Sequence, residues 1–135
     1  MGRKCSLRAK RALASHKPMS AAKNAIAMQS ERVVARSVGG RQLPDNEPMD
    51  VIVRRRKTLH GIEVKTIIDG QNDKITMHKD SRERKLKWAR ETGGSLHTVA
   101  VKGDRVWYKP GVGSFRLGTM TEVRTFDELA EHMGL

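Results

Sequence analysis

The stretch that decides the fold is MDVIVRRRKTLHGIEVKTII, residues 49–68. It contains two runs of β-branched and apolar residues, and the basic segment 54–57 between them is short enough for a hairpin turn. Because side chains alternate along a strand, Glu63 and Lys65 project from the same face of the second strand. Hairpin pairing brings Asp50, at the start of the first strand, next to Glu63. The stretch therefore predicts a β-hairpin that carries two carboxylates and a lysine together.

Helices are predicted on both sides of this hairpin. Ser20 is a typical N-cap residue, and the apolar spacing of residues 21–38 predicts a helix that Gly39 and Gly40 end. Residues 41–48, RQLPDNEP, are typical of a turn-rich loop. This order predicts an α/β (or α+β) fold with one mixed sheet flanked by helices. The elements predicted after the hairpin are a short third strand at 75–78, a helix from Asp80 or Ser81 to residue 91, strands at 95–103 and 105–110, and a last helix capped by Thr125 or Asp127.

Composition narrows the class of partner. The chain has 135 residues, which is one domain's worth, and 27 Lys and Arg against 15 Asp and Glu give a net charge of +12. A small domain with that field attracts polyanions, so an acidic substrate other than nucleic acid or a lipid surface is not expected. The single cysteine, Cys5, excludes a disulfide framework and a multi-cysteine zinc site.

The first 19 residues form a basic arm, and residues 20–135 form the domain proper. The first 20 residues hold six basic residues and no acid, and they lack the apolar segment of a secretory signal. No run of 18 apolar residues is present, so no membrane span is expected. The expected location is the cytoplasm, or a host cytoplasm into which a partner delivers the protein.

Asp50 and Glu63 suit a hard divalent cation. Two adjacent carboxylates repel each other, and oxygen ligands of this kind are preferred by Mg²⁺, which also keeps waters and phosphate oxygens in its shell. The carbonyl of Ile62 or Val64 is an additional candidate ligand. Lys65 beside the metal is placed to orient or deprotonate a water and to offset charge on a phosphoryl transition state.

With Asp50 in EPMDVIV and Glu63 and Lys65 in HGIEVKT, the sequence resembles the PD-(D/E)xK, or restriction-endonuclease-like, nucleases. The resemblance covers residues 20–102 and implies an αβββαβ core. The pattern departs from the family at its first motif, where Met49 separates proline from Asp50. Within this family the sequence resembles nuclease domains attached to phage head-morphogenesis proteins and bacterial toxins. The resemblance also implies that Glu31, on the first helix, contributes to the metal.

We therefore expect an endonuclease that depends on Mg²⁺ or Mn²⁺ and hydrolyses phosphodiester bonds of nucleic acid, with DNA as the first choice. Positive charge around the motif is expected to bind the phosphate backbone. Such contacts position the protein on the nucleic acid but do not distinguish one base sequence from another. Among these residues Lys85 is the one expected to face inward. A homodimer and an immunity or carrier protein are left open as partners. The expected phosphate contacts are Arg54, Arg55, Arg56, Lys57, Arg82, Lys85 and Lys87.

Two other functions are compatible with the sequence. One is a non-catalytic, basic nucleic-acid-binding module, in which Asp50, Glu63 and Lys65 make only a cross-strand salt bridge. The other is a metal-independent ribonuclease toxin that uses His60 or His97 with Arg116. The five histidines include no pair at ligand spacing, so a histidine metal site is not expected.

Overall fold

The computed structural model describes residues 19–68 and 72–135. The predicted basic arm, except for Met19, lies outside the described residues. Within the described ranges, no helix has both the length and the apolar character needed to cross a bilayer. The helices described are α1 at Met19–Val38, α2 at Lys79–Thr92 and α3 at Phe126–Met133. The strands are β1 at Arg41–Gln42, β2 at Val51–Arg55, β3 at Thr58–Thr66, β4 at Lys74–Ile75, β5 at Ser95–Lys102, β6 at Arg105–Pro110, β7 at Phe115–Arg116 and β8 at Thr121–Val123.

The main sheet is mixed and has six strands in the order β1-β2-β3-β5-β6-β8. Strands β3 and β5 run parallel and are connected through α2, whereas every other neighbouring pair in this sheet is antiparallel. A right-handed crossover through a helix is the usual connection between parallel strands. Strands β4 and β7 form a separate two-stranded sheet. The predicted class, a mixed sheet flanked by helices, is confirmed.

The hairpin at the centre of the sequence analysis is β2 and β3. Its register pairs Val51 with Ile62 and Arg55 with Thr58, and Arg56 in the turn has a positive φ of 56°. The antiparallel register therefore continues to Asp50, one residue before Val51, and places it beside Glu63.

Two layers cover the main sheet. Helices α1 and α3 pack on one face, where aliphatic side chains from both helices and five strands form the larger core. Burial of such side chains is the dominant stabilising contribution, about 1.5–3 kcal/mol for each. Representative members of this core are Val33, Val34, Val51, Ile62, Val64, Val99, Leu129 and Met133.

Helix α2 packs on the opposite face of the sheet. A Cβ atom at position 61 would lie 2.6 Å from Cζ3 of Trp88, so Gly61 is needed for the ring to approach β3. Helix α2 runs antiparallel to β3, so a step of one turn back along the helix corresponds to a step of two residues forward along the strand. Starting from the contact of Trp88 with Gly61, this step leads to a second pair of facing residues. Those two residues are Lys85 and Glu63.

Two details of the predicted order differ from the structure. The short third strand predicted at 75–78 is found at Lys74–Ile75, and it pairs with β7 and not with the main sheet. The third antiparallel strand next to the hairpin is instead β1, inside the predicted loop 41–48. When only the helices and the strands of the main sheet are counted, the order up to β5 is α1-β1-β2-β3-α2-β5, which is the expected αβββαβ core. The N-cap of α2 is His78, not Asp80 or Ser81, whereas Thr125 caps α3 as predicted.

Candidate active site

The structure brings Asp50 and Glu63 together on the α2 face of the hairpin. Glu63 is buried, with 4% of its surface exposed, and the Oδ2 atom of Asp50 accepts a hydrogen bond from the backbone N–H of Val64 at 2.8 Å. Burial, followed by the negative charge of Glu63 and contact with its carboxyl group, raises the pKa of Asp50 to about 8. In the metal-free protein the two carboxyl groups therefore compete for a proton, and the pair retains it to a higher pH than an isolated aspartate would.

Two lysines form ion pairs with Glu63, each with a different oxygen of its carboxylate. The Nζ atom of Lys65 lies 3.2 Å from Oε2, and its side chain is 35% exposed. The Nζ atom of Lys85 lies 3.4 Å from Oε1, and its side chain is 8% exposed. The second contact is an ion pair without hydrogen-bond geometry, so Oε1 of Glu63 has no hydrogen-bond partner in the described part of the chain. The hydrogen bond that Lys85 does make is to the carbonyl oxygen of Pro48, at 2.6 Å.

Glu31, on α1, lies near enough to the cluster for its charge to interact with those of Asp50, Glu63 and Lys65. Burial raises its pKa, and the charges of Asp45 and Glu63 add to that effect while Gln42 and Lys65 oppose it. The Nε2 atom of Gln42 donates to Oε1 of Glu31 at 3.4 Å and to the carbonyl of Met28 at 3.2 Å. Strand β1 thus orients the acid of the first helix, a role that the sequence analysis did not assign to Gln42.

The donor set fits one kind of cation and not another. Within residues 19–68 and 72–135, no group of three or more His, Cys, Asp or Glu side chains is placed to hold a metal ion, so a zinc-like site of protein ligands alone does not fit. Asp50 and Glu63 do fit the mode of Mg²⁺, which takes one or two carboxylates and completes its shell with water and phosphate. An orphaned buried oxygen on Glu63 and a like-charge pair both favour a cation at this point.

The predicted phosphate contacts occupy two regions. On α2, Arg82 and Lys87 are exposed, and Nε of Arg82 donates to the carbonyl of Val112 at 3.3 Å. The exposed residues 54–57 lie at the far end of the hairpin, and Arg54 is four strand residues from Asp50, about 13 Å along the strand. Lys85 belongs to neither region, because its ammonium group lies beside the buried carboxylate of Glu63. Its side chain therefore faces inward, as predicted.

The histidines of the ribonuclease alternative lie on the other face of the sheet. His60 Nδ1 and His97 Nε2 are 2.9 Å apart, and His97 Nδ1 is 2.7 Å from the hydroxyl oxygen of Tyr108. Burial lowers the pKa of both histidines, that of His97 to about 4. Arg116 is on β7. The preceding residue of that strand, Phe115, packs against a second hydrophobic cluster, which contains Trp107 and is separate from the core beneath α1 and α3. The structure therefore does not bring His60 or His97 together with Arg116.

Comparison with protein-family models and with curated proteins finds no match. Among solved structures, the chain is similar to Hjc, a Holliday junction resolvase from the archaeal hyperthermophile Archaeoglobus fulgidus, with a TM-score of 0.59 and 14% sequence identity. The similarity covers 77% of this chain and 97% of the resolvase. At this identity the similarity shows the fold: the chain shares the fold of this resolvase, in agreement with the restriction-endonuclease-like fold that its sequence resembles.

Proposed function

We propose that this chain, which has the fold of the restriction-endonuclease-like nucleases, is a divalent-metal-dependent endonuclease that hydrolyses phosphodiester bonds of DNA in the cytoplasm. The observation that carries the proposal is the convergence of Asp50, Glu63 and Lys65 at one point of an otherwise aliphatic hairpin. Burying charge in this way is unfavourable unless a partner compensates for it, and clusters of this kind are concentrated at functional sites.

Asp50 and Glu63 would hold Mg²⁺ or Mn²⁺, and Glu31 adds negative charge from α1. When bound, such a cation lowers the pKa of a coordinated water and neutralises charge on the phosphoryl oxygens. Lys65, which is about one-third exposed, reaches solvent and Glu63 at once. It is placed to orient the attacking water and to offset the negative charge that develops on the phosphate.

The rest of the chain supplies affinity for the backbone of the nucleic acid. A net charge of +12 provides the long-range attraction, and the exposed arginines and lysines of α2 and of the hairpin turn provide local contacts. Because phosphate contacts carry no sequence information, we expect binding that depends on backbone shape and salt. The similar structure is a Holliday junction resolvase, so branched DNA is the substrate to compare first with linear duplex.

The test uses the wild-type chain with supercoiled plasmid, a linear duplex, a synthetic four-way junction and an RNA of equal length. We expect cleavage of DNA with Mg²⁺ and none with EDTA. Cleavage that continues in EDTA would favour a metal-independent nuclease. Binding without cleavage in any metal would favour a non-catalytic module. If only the RNA is cleaved, the substrate is RNA and not DNA.

A further inference from the structure

Lys85 is the buried lysine at the centre of the candidate site. It is 7% exposed, on a helix whose other lysines and arginines face solvent. Burying an ammonium group is strongly unfavourable unless it is paired and hydrogen-bonded. Its Nζ atom meets both conditions, through the carbonyl of Pro48 at 2.6 Å and Oε1 of Glu63 at 3.4 Å.

These two contacts join the segments that deliver the two carboxylates. Pro48 lies two residues before Asp50, in a loop that reaches the sheet through the hydrogen bond from Leu43 N–H to the carbonyl of Asp50 at 2.8 Å. Glu63 belongs to β3. Lys85 reaches both from α2, which Trp88 seats against Gly61. A single ammonium group therefore bridges the loop that ends at Asp50 and the strand that carries Glu63.

Lys65 and Lys85 are not equivalent. Lys65 is exposed enough to meet a substrate, and its ammonium group contacts Oε2 of Glu63. Lys85 is enclosed, and its short hydrogen bond is to backbone.

We propose that Lys85 is a positioning residue for the metal ligands: it ties the Pro48 carbonyl to the Glu63 carboxylate so that Asp50 and Glu63 face one cation. The inference rests on the proposed function and adds a residue to it. Outer partners that hold a ligating carboxylate in place typically contribute 10–100-fold to metal affinity. Lys85 acts through these residues and does not touch the substrate.

Removing the ammonium group of Lys85 distinguishes a positioning role from a counter-charge role, because the two roles predict opposite changes in metal affinity. The variant Lys85→Met keeps side-chain length and removes both charge and donor. If Lys85 only balanced charge, its removal would leave a more negative site and Mn²⁺ would bind more tightly. If Lys85 positions the carboxylates, Mn²⁺ binds about 10–100-fold more weakly. Lys85→Arg, which keeps charge and donors, restores part of that affinity, whereas the exposed-site control Lys79→Met leaves it unchanged.

A second readout needs neither metal nor cleavage. The N–H of Val64 donates to Asp50, so its hydrogen exchange reports whether Asp50 stays in place. In metal-free Lys85→Met we expect exchange at Val64 to rise about fivefold, which corresponds to the removal of one net hydrogen bond. The amide of Val99, in the centre of β5, serves as the reference for global unfolding and stays protected.

The outcomes separate the two proposals. Weaker Mn²⁺ binding with faster exchange at Val64 alone supports positioning by Lys85. Tighter Mn²⁺ binding, or unchanged exchange at Val64, overturns it whether or not the wild type cleaves DNA. If the wild type binds no divalent cation, the proposed function fails, and faster exchange at Val64 then supports only the tie between Lys85 and Asp50. If Val99 exchanges faster as well, Lys85 serves general stability and the positioning role is rejected.

Discussion

Asp50 accepts a hydrogen bond at 2.8 Å from the backbone N–H of Val64, the residue that separates Glu63 from Lys65. The bond joins the acid of one strand to the middle of the E-x-K motif on the next. A one-residue slip of register would turn Glu63 and Lys65 to the opposite face of the sheet. The same hydrogen bond that opposes this slip therefore also keeps the two carboxylates and the lysine together.

The raised pKa of Asp50 predicts a stability that falls as the pH rises from the ordinary pKa of an aspartate toward about 8. An aspartate whose folded pKa is about 8 binds a proton more tightly in the folded than in the unfolded state. Its contribution is therefore full at low pH and is lost as the pH rises through about 8. In EDTA, the free energy of unfolding should fall between pH 6.5 and 8.5, by at most about 1.4 kcal/mol per pH unit for one proton.

Urea denaturation at several pH values measures this slope. The variant Asp50→Asn has no group to titrate at this position, so its curve should be flatter than that of the wild type across the same range. A wild-type curve that is as flat as that of the variant would show that Asp50 ionises freely and that the carboxylates do not compete for a proton.

The histidine pair predicts the opposite slope in acid. Burial lowers the pKa of His60 and His97, the latter to about 4, so the folded state binds fewer protons than the unfolded state below the ordinary histidine pKa of 6.5. Stability from this pair is full above pH 6.5 and is lost as the pH falls toward 4. Asp50 offsets part of this decrease in the wild type, so the measurement belongs in the Asp50→Asn background.

Denaturation of Asp50→Asn should show lower stability at pH 5 than at pH 6.5. The imidazole of His97, followed by nuclear magnetic resonance, should remain neutral at pH 5. Protonation of His97 near its ordinary pKa in the folded protein would contradict the buried, hydrogen-bonded arrangement with Tyr108.

Lys65 is expected to assist the chemical step. Its replacement by alanine should lower the single-turnover cleavage rate by about 10²–10⁴, the usual range for general acid–base assistance. Lys65→Arg should fail as well, because a planar guanidinium does not replace a compact ammonium group that can give up a proton. The rates are measured across a metal titration. Full recovery of Lys65→Ala at high metal would leave Lys65 as a counter-charge to Glu63.

The basic turn of the hairpin is expected to contribute affinity and not turnover, since Arg54 lies about 13 Å along the strand from Asp50. Replacing Arg54, Arg55 and Arg56 together by alanine should flatten the dependence of DNA affinity on salt, by about 0.9 in slope for each phosphate that is no longer neutralised. Metal affinity should not change. The matched comparison is Arg82→Ala with Lys87→Ala on α2. An unchanged slope in the hairpin variant would assign phosphate binding to α2 or to the basic arm.

The sequence predicted the hairpin well because its information is local. The strand period of two, the short charged turn and the position of Asp50 are all contained in residues 49–68, so the register followed from pairing the two strands. Both main helices were predicted for the same reason, since capping residues and terminal glycines are local signals, to which the first helix adds apolar spacing. The positive φ of Arg56 was not predicted, because arginine is not a residue that favours it.

What the sequence did not predict depends on distant contacts. Strand β1 is two polar residues, Arg41 and Gln42, with no strand pattern, and it exists because β2 offers it an edge. The inward orientation of Lys85 was predicted, but its contact with Pro48 spans 37 residues, so no local pattern identifies that partner.

The central claim is that Asp50 and Glu63 hold the metal that cleavage requires. Single-turnover cleavage of DNA in Mg²⁺ tests it with Asp50→Asn and Glu63→Gln, using Glu47→Gln, an exposed acid of the same loop, as the control. Each site variant should cleave at least about 100-fold more slowly, because metal activation supplies several kcal/mol of transition-state stabilisation. Their affinity for the same DNA in EDTA should be retained or increased as negative charge is removed. Cleavage by both variants near the wild-type rate would contradict the claim.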